Sequence, residues 1–468
     1  MSLHYDLVVI GSGPAGEKGA ARAAYFGKRV AIVEHSEVLG GAAVNTGTIP
    51  SKTLRETALY FSGLSQRGLY GIDYSLREGV TIADFMYRER TVVEHEWEII
   101  GRNIEAHGID LYRGQGSLTS PHTVRVAKPD GVSLELEADA VLIATGSSPY
   151  HPENVPFDDE FVYDSDTILR MKLMPRSMVV VGGGVIGCEY AALFTALGVD
   201  VCQIVSGDSL LPFVDREIAE RLRQHLDGLG LRFVFNERVA NLERQGEGVT
   251  LTLGSGDKLH SEIALYAVGR TSNVQGLGLE ALGVKLGERG LVIVDERYQT
   301  SVPGVYAAGD VIGFPALASI SMEQARVAVA CACNLPASQD FSPVAPLAVY
   351  SIPEVAMVGL TEEACREKGI EYLVGRANYS SSPRGQIIGD MTGMVKLVFS
   401  PRDLKLLGAH HIGELASELV HIGAHVLAAG GTIETFTYMV YNYPTLSDSY
   451  KYAAYDGLTA RDRWLSRG

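Results

Sequence analysis

Tyr5-Asp6-Leu7-Val8-Val9-Ile10-Gly11-Ser12-Gly13-Pro14-Ala15-Gly16 passes from a short apolar, β-branched run directly into three glycines spaced G-x-G-x-x-G. The run predicts a buried strand. A helical stretch follows and stops near Gly27, and Arg29-Val30-Ala31-Ile32-Val33-Glu34 predicts a second strand. In a strand–turn–helix–strand unit each glycine has its own task. Gly11 makes the tight turn, Gly13 lets the backbone approach a pyrophosphate, and Gly16 lets the helix pack closely on the strand. The helix start adds unpaired N–H groups and the positive end of a dipole. Glu34, 23 residues after Gly11, is spaced to accept the hydroxyl pair of a ribose.

The unit returns 171 residues later. Met178-Val179-Val180-Val181 is the strand, Gly182, Gly184 and Gly187 correspond to Gly11, Gly13 and Gly16, and Gly198 corresponds to Gly27. Two such units predict two dinucleotides, and the natural pairing is a resident FAD with an exchanging NAD(P). The repeat breaks at the counterpart of Glu34, which is Val205, followed by Ser206-Gly207. A carboxylate there would favour NAD, and an arginine would favour NADP. Each such charge-assisted bond is worth about 1.5–3 kcal/mol. With neither present, the second site is expected to be permissive unless an arginine reaches it from elsewhere in the fold.

At roughly 150 residues per domain, 468 residues predict about three domains. Forty basic against 56 acidic residues give a formal charge of −16, which argues against a generic nucleic-acid or anionic-membrane surface. No apolar run approaches the ~20 residues of a membrane span. The first residues enter a strand without a basic leader or cleavage site. Five cysteines, at 188, 202, 331, 333 and 365, do not resemble a secreted disulfide framework, so a reducing cytoplasm is expected. No metal is expected.

Gly40-Gly41-Ala42-Ala43-Val44-Asn45-Thr46-Gly47-Thr48-Ile49-Pro50-Ser51-Lys52 resembles the active-site segment of the flavoprotein disulfide reductases. Ala144-Thr145-Gly146, Val268-Gly269-Arg270 and Ala308-Gly309-Asp310 are similar to that family's other signatures, in order. Tyr350-Ser351-Ile352-Pro353-Glu354 is similar to the opening of its dimerisation domain. The resemblance spans essentially the whole chain. It implies an α/β fold with two Rossmann-like dinucleotide-binding domains plus a C-terminal α+β dimerisation domain, forming a homodimer. The expected division is 1–149 for FAD, 150–270 for NAD(P), 271–345 for the return to FAD, and 346–468 for dimerisation. The boundary marks are Ser147-Ser148-Pro149 and the stretch from Pro343 to Pro346. Residues 82–107 predict a long helix.

The cofactor-binding residues implied are Gly11, Gly13, Gly16, Glu34, Lys52, Thr145, Gly146, Asp310, Ala318, Gly182, Gly184, Gly187, Ser206, Gly269 and Arg270. By resemblance Lys52 lies beside flavin N5 and pairs with Glu189, and Asp310 binds the ribityl chain. A cation at Lys52 would stabilise negative charge developing on the ring. A helix starting near Leu317-Ala318 would present its positive end to the flavin N1–C2=O edge.

The departures from the family bear on function. Its two redox cysteines would fall at Ala43 and Thr48, and its C-terminal base and carboxylate fall on Tyr443 and Asp448. Thiolate chemistry needs a sulfur nucleophile and usually a base to set its protonation, and here both are replaced together. Cys331-Ala332-Cys333 reads as packing within an alanine-rich helix, where positions two apart diverge. Residues 47–52, 149–152, 163–166, 187–190 and 442–445 are similar to the transhydrogenase branch of the family, although that branch usually keeps the first cysteine. The expected activity takes hydride from NADH or NADPH onto flavin and passes it to a second nicotinamide, with Lys52, Glu189, Tyr443 and Asp448 as the catalytic group. Two other readings stay open. One is an NAD(P)H reductase of a quinone or other small electron acceptor, seated in space left by Ala43 near Tyr443 of the partner subunit. The other is a non-catalytic nucleotide-binding protein. Tyr438, Tyr441, Tyr443, Tyr450, Tyr452 and Tyr455 read as an aromatic cluster at a dimer interface.

Overall fold

The computed structural model describes residues 3–63, 81–336 and 344–466, and the expected boundary mark at Pro343 lies outside them. The architecture is α/β, with two Rossmann-like sheets and a C-terminal α+β domain. The chain divides into two compact units. Residues 3–53, 86–150 and 269–336 belong to the first, and 54–63, 81–85, 151–268 and 344–466 to the second.

In the first unit β1 (Leu3–Ile10) is central, with β2 (Val30–Glu34) parallel on one side and β6 (Ser133–Ile143) parallel on the other. The sheet runs β3 (Asp110–Arg113), β2, β1, β6, β5 (Thr123–Ala127), β4 (Gln115–Ser120), and Val305–Ala307 also pairs with β6. Both faces of the parallel core are covered, which is why β1 reads as a continuous apolar run rather than an alternating one. Leu7 and Val9 enter one apolar cluster, and Val8 and Ile10 enter the other. Helix α1 (Pro14–Tyr25) buries Ala15, Gly16, Gly19, Ala20 and Ala23. That small-residue stripe lets the helix come close: a Cβ at Gly19 would lie 2.9 Å from Leu142 Cδ2. Further elements are α2 (Gly41–Asn45), α3 (Thr48–Ser62), α4 (Ile82–Ala106) and β7 (Ser147–Pro149). Helix α3 counts with the first unit through Thr53 and with the second from Leu54.

The second unit repeats the plan. Its all-parallel sheet has the order β11 (Arg232–Phe235), β10 (Asp200–Val205), β9 (Ser177–Val181), β15 (Ile263–Tyr266), β8 (Val162–Tyr163). As in the first unit, the central strand lies between the next strand in sequence and one that follows an antiparallel excursion, here β12 (Val239–Gln245), β13 (Gly248–Leu253) and β14 (Lys258–Ser261). Helices α5 (Val185–Ala196) and α6 (Arg216–Gly228) complete the nucleotide half. The C-terminal half is an antiparallel sheet ordered Leu347–Val349, Val355–Gly359, Leu406–Ile412, Met394–Phe399, Leu373–Asn378. One face packs on the helices Ala416–Ala428 and Ser449–Leu465 through Val395, Leu397, Phe399, Val420 and Tyr450. Next to Val395 in the strand, Lys396 alternates to the opposite face. It is 1% exposed and ion-paired to Asp215 at 2.7 Å, Glu217 at 2.9 Å and Glu362 at 2.5 Å. Asp215 is also the N-cap of α6, accepting from Glu217 N, so the same carboxylate starts a helix and holds a buried ammonium.

Candidate active site

In the first loop Gly11 has φ +105°, and a Cβ there would lie 2.4 Å from Ala144 O. A Cβ at Gly16 would lie 1.9 Å from Gly11 O, so both positions admit only glycine. Gly13 is the N-cap of α1, with no side-chain cap and Pro14 in the first turn. The helix therefore leaves its leading N–H groups available to an anion. Beyond the loop the buried Glu34 carboxylate accepts from Ser12 N at 2.9 Å, Ser12 Oγ at 2.7 Å and Ser36 N at 2.8 Å. Burial alone would raise its pKa. The hydrogen bonds from His35, Ser36 and Ser12 outweigh burial and hold it at about 2.

Elsewhere in the first unit, Ser147 joins two expected cofactor residues. Its Oγ donates to Asp310 Oδ2 at 3.0 Å and accepts from Arg270 Nε at 2.7 Å, while Arg270 Nη2 donates to Ser147 O at 2.6 Å. Thr145 Oγ1 donates to Asn273 O, and Asn273 Nδ2 returns a bond to Thr145 O. Gly146 has φ +67° with open space where a Cβ would stand. The 15-residue helix Ala318–Ala332 begins without a side-chain cap and without an acidic residue in its first turn, keeping its positive end unneutralised. An uncapped α1, an ionised buried Glu34 and glycine-lined open backbone match the pyrophosphate and ribose of a dinucleotide, so these residues fit FAD.

The second loop repeats the first. Gly182 has φ +127° and would clash with Ala267 O at 2.2 Å if it carried a Cβ. A Cβ at Gly187 would lie 2.2 Å from Gly182 O. Gly184 caps α5 without a side chain and with nothing within 4 Å of its would-be Cβ. At the end of β10 Val205 is buried, and Ser206, just beyond it, is exposed. The glycine that precedes Arg270, Gly269, has φ +124°. Sequence reasoning missed Gln203, which is fully buried in β10 and donates from Nε2 to Gly182 O at 2.8 Å. The available signal was a carboxamide inside the apolar run Val201-Cys202-Gln203-Ile204-Val205.

Lys52 is half-buried in the second turn of α3, and its Nζ lies 3.3 Å from Ser51 Oγ. Glu189 is buried in α5 and accepts from Tyr350 N at 2.9 Å. Ala43 lies in the single turn of α2, and Thr48 opens α3. The α2 turn is pinned by Asn45, whose Nδ2 donates to Leu39 O at 2.9 Å and Gly41 O at 2.8 Å while its Oδ1 accepts from Trp97 Nε1 at 2.8 Å. Trp97, on α4, was also missed from sequence, where nothing links it to residue 45.

Tyr443 is exposed, and Asp448 precedes the last helix as its N-cap without making a capping bond. The six tyrosines do not form one cluster. Tyr450 points inward, fully buried, with its hydroxyl on Leu419 O, Gly423 N and His411. Tyr438, Tyr443, Tyr452 and Tyr455 are exposed, and Tyr441 is half-buried. The helix period separates them, since Tyr450 and Tyr452 point in different directions from one helix. All five cysteines are free, and Cys188, Cys202 and Cys365 are buried. Burial pushes the Cys188 thiol up to about 12 and that of Cys333 to about 11.

Two uncapped glycine loops on repeated parallel sheets, with a helix-backed antiparallel domain, define a two-dinucleotide α/β protein. Residues 5–331 match the family model of the pyridine nucleotide-disulphide oxidoreductases, and residues 345–454 match that family's dimerisation domain. The chain belongs to this family. It is 46% identical over 453 residues to a soluble pyridine nucleotide transhydrogenase of Mycobacterium bovis (strain BCG / Pasteur 1173P2), covering 97% of both chains. It is 39% identical over 458 residues to a protein of the same name from Yersinia pestis (strain Pestoides F), covering 97% of this chain and 98% of that one. Among solved structures, LpdA from Mycobacterium tuberculosis aligns with a TM-score of 0.90 at 28% identity, covering 97% of this chain and 99% of that one. The HOCl-induced flavoprotein disulfide reductase RclA from Escherichia coli aligns with a TM-score of 0.86 at 27% identity, covering 96% and 99%. Among the described residues no helix is long and apolar enough to cross a membrane.

Proposed function

We propose that this chain is an FAD-dependent transhydrogenase that converts NADPH and NAD+ into NADP+ and NADH, or runs the reverse. The observation that carries this reading is the presence of both glycine loops together with Ala43 and Thr48 where the family's redox cysteines would fall. Bound FAD supplies a ring that takes a hydride from one nicotinamide and returns it to another. With no sulfur relay beside that ring, the acceptor must come to it directly.

In this reading Gly11, Gly13, Gly16 and the leading N–H groups of α1 hold the FAD pyrophosphate, and Glu34 takes a ribose. Asp310, oriented by Ser147 and Arg270, holds the ribityl chain, with Thr145, Gly146 and Ala318 lining the same cofactor. Gly182, Gly184, Gly187 and Gly269 receive the nicotinamide nucleotide at α5. Ser206, offering one hydroxyl and no charge, leaves NAD and NADP close in affinity. Lys52 keeps a positive charge where negative charge develops, and Glu189 orients it. Tyr443 and Asp448 complete the site from the partner subunit of a homodimer with no thiol to deprotonate. We keep the division 1–149, 150–270, 271–345 and 346–468 as the functional domains, and a cytoplasmic location consistent with five free cysteines.

The test is anaerobic stopped-flow. The flavin is bleached with NADPH, then mixed with NAD+ or with a quinone. Recovery of the visible band by NAD+ at the turnover rate is expected. Recovery by quinone alone would replace the transhydrogenase reading with an acceptor reductase.

A further inference from the structure

One five-residue segment, Tyr350-Ser351-Ile352-Pro353-Glu354, holds both α5 and α3. At its start Tyr350 N donates to Glu189 Oε1 at 2.9 Å. In its middle Ser351 O accepts from Arg55 Nε at 2.9 Å. At its end Glu354 Oε1 lies 3.4 Å from Arg55 Nη1, and Glu354 Oε2 is held by Ser417 N at 3.0 Å and Ser417 Oγ at 2.8 Å. The fork is completed by Glu56, which accepts from Arg55 Nη1 at 2.5 Å. Arg55, Ser351 and Glu354 are all buried.

Burying a guanidinium is costly unless its donors are matched. A leucine or methionine would fill the same helix face without that cost. What arginine adds is a rigid planar fork that fixes direction on a carbonyl and a carboxylate at once. Arg55 stands three residues after Lys52 on α3, which places the two on neighbouring turns of one helix face. The rotation of α3 that fits the Arg55 fork therefore also fixes where the Lys52 stem starts. Glu189 is fixed by the first residue of the segment that receives the fork. A residue on each helix is thus tied to one short piece of backbone, which is itself locked by Ser417.

We propose that Arg55 is a positioning residue for hydride transfer: its clasp on Ser351 and Glu354 sets the register of α3 and so aims the Lys52 ammonium. The inference rests on the reading of Lys52 and Glu189 given under Proposed function. It assigns Arg55 no contact with FAD or nucleotide, and predicts an effect on the rate of transfer rather than on binding.

The test compares Arg55→Met, Arg55→Lys, Lys52→Met and the double variant Lys52→Met/Arg55→Met as FAD-loaded enzyme. Flavin bleaching by NADPH is followed by anaerobic stopped-flow across nucleotide concentrations, separating limiting rate from apparent Kd. Arg55→Met is expected to lose tenfold or more in limiting rate, with apparent Kd within about twofold of the parent and FAD retained. Arg55→Lys, which keeps the charge and loses the fork, should recover part of that loss. The double variant should be no slower than Lys52→Met, because Arg55 acts through Lys52. Equal fractional losses from Arg55→Met with and without Lys52 would overturn the proposal, as would an Arg55→Met enzyme at full limiting rate with only a lower Tm. If Arg55→Met does not fold, Arg55→Lys decides, and parental speed in that variant overturns the proposal. Parental speed in Lys52→Met would instead sink the reading beneath it, whatever Arg55 does.

Discussion

The side-chain amide of Gln203 reaches across from β10 to the carbonyl of Gly182, 2.8 Å away, and closes the second glycine loop from below. The first loop has no such bond, because the residue equivalent to Gln203 is Ile32. The two halves of the repeat thus differ beneath the loop as well as beyond it. Gln203 Oε1 is buried without a hydrogen-bond partner among the described residues. Gln203→Leu removes that orphan acceptor but leaves Gly182 O unpaired, two effects of order 1 kcal/mol and opposite sign. Overall stability should change little. The loop should loosen, raising KM for both NADH and NADPH by roughly fivefold, about the worth of one hydrogen bond. Steady-state kinetics with both nucleotides, alongside flavin content, checks this.

Glu34 gives a pH dependence with a definite sign. Its pKa falls from 4.5 to about 2 in the folded protein, so its stabilising contribution is complete above about 4.5. That contribution is lost as pH falls toward about 2. Release of FAD, measured by flavin fluorescence after acid equilibration, should therefore begin below about pH 4.5 in the parent. Glu34→Gln should weaken FAD binding roughly ten- to hundredfold already at neutral pH, from loss of charge-assisted bonds of about 1.5–3 kcal/mol.

Lys396 offers a test of buried charge. Its ammonium sits among Asp215, Glu217 and Glu362, and truncation to methionine would strand the fully buried Asp215, while Glu217 keeps Arg376 and Glu362 keeps Arg366 and Arg376. Lys396→Met should destabilise the second unit by about 3–5 kcal/mol in urea unfolding at neutral pH. Burial opposes ionisation of Asp215 and Glu362, yet their cationic and hydrogen-bonding partners win and lower both from 3.8 and 4.5. Stability from depressed carboxylates is lost as pH falls, so the gap between parent and variant should narrow below about pH 4.5.

The cysteines should be bystanders. Three are buried, and burial holds the Cys188 and Cys333 thiols at about 12 and about 11, far from the thiolate form at neutral pH. Cys331→Ser/Cys333→Ser is expected to keep transhydrogenation within twofold of the parent. A tenfold loss with FAD still bound would show that sulfur takes part.

Both glycine units were legible because strand, turn, helix and acid are local features repeated at a fixed offset. The first and third glycines of each loop are fixed by close contacts, Gly11 and Gly182 against the chain just past a neighbouring strand and Gly16 and Gly187 against the loop's own first carbonyl. The long helix 82–107 was legible from its period, and it ends at Ala106. The links across long sequence separations were not legible: Trp97 to Asn45, Arg55 to Ser351, Lys396 to Asp215. Each joins residues 52 to 296 positions apart, and a single sequence carries no signal of which polar groups meet across such distances. The six tyrosines misled for a related reason. Their density suggested one cluster, but helix geometry sends Tyr450 into the core and leaves Tyr452 outside.

The claim on which the functional account turns is that electrons enter and leave at the flavin alone. An anaerobic reductive titration of the FAD-loaded enzyme measures this as reducing equivalents taken up per flavin. The account predicts complete bleaching at two electrons per bound FAD, with no long-wavelength thiolate band along the way. Uptake of four electrons, with that band appearing after the first two, would reveal a sulfur relay and contradict it.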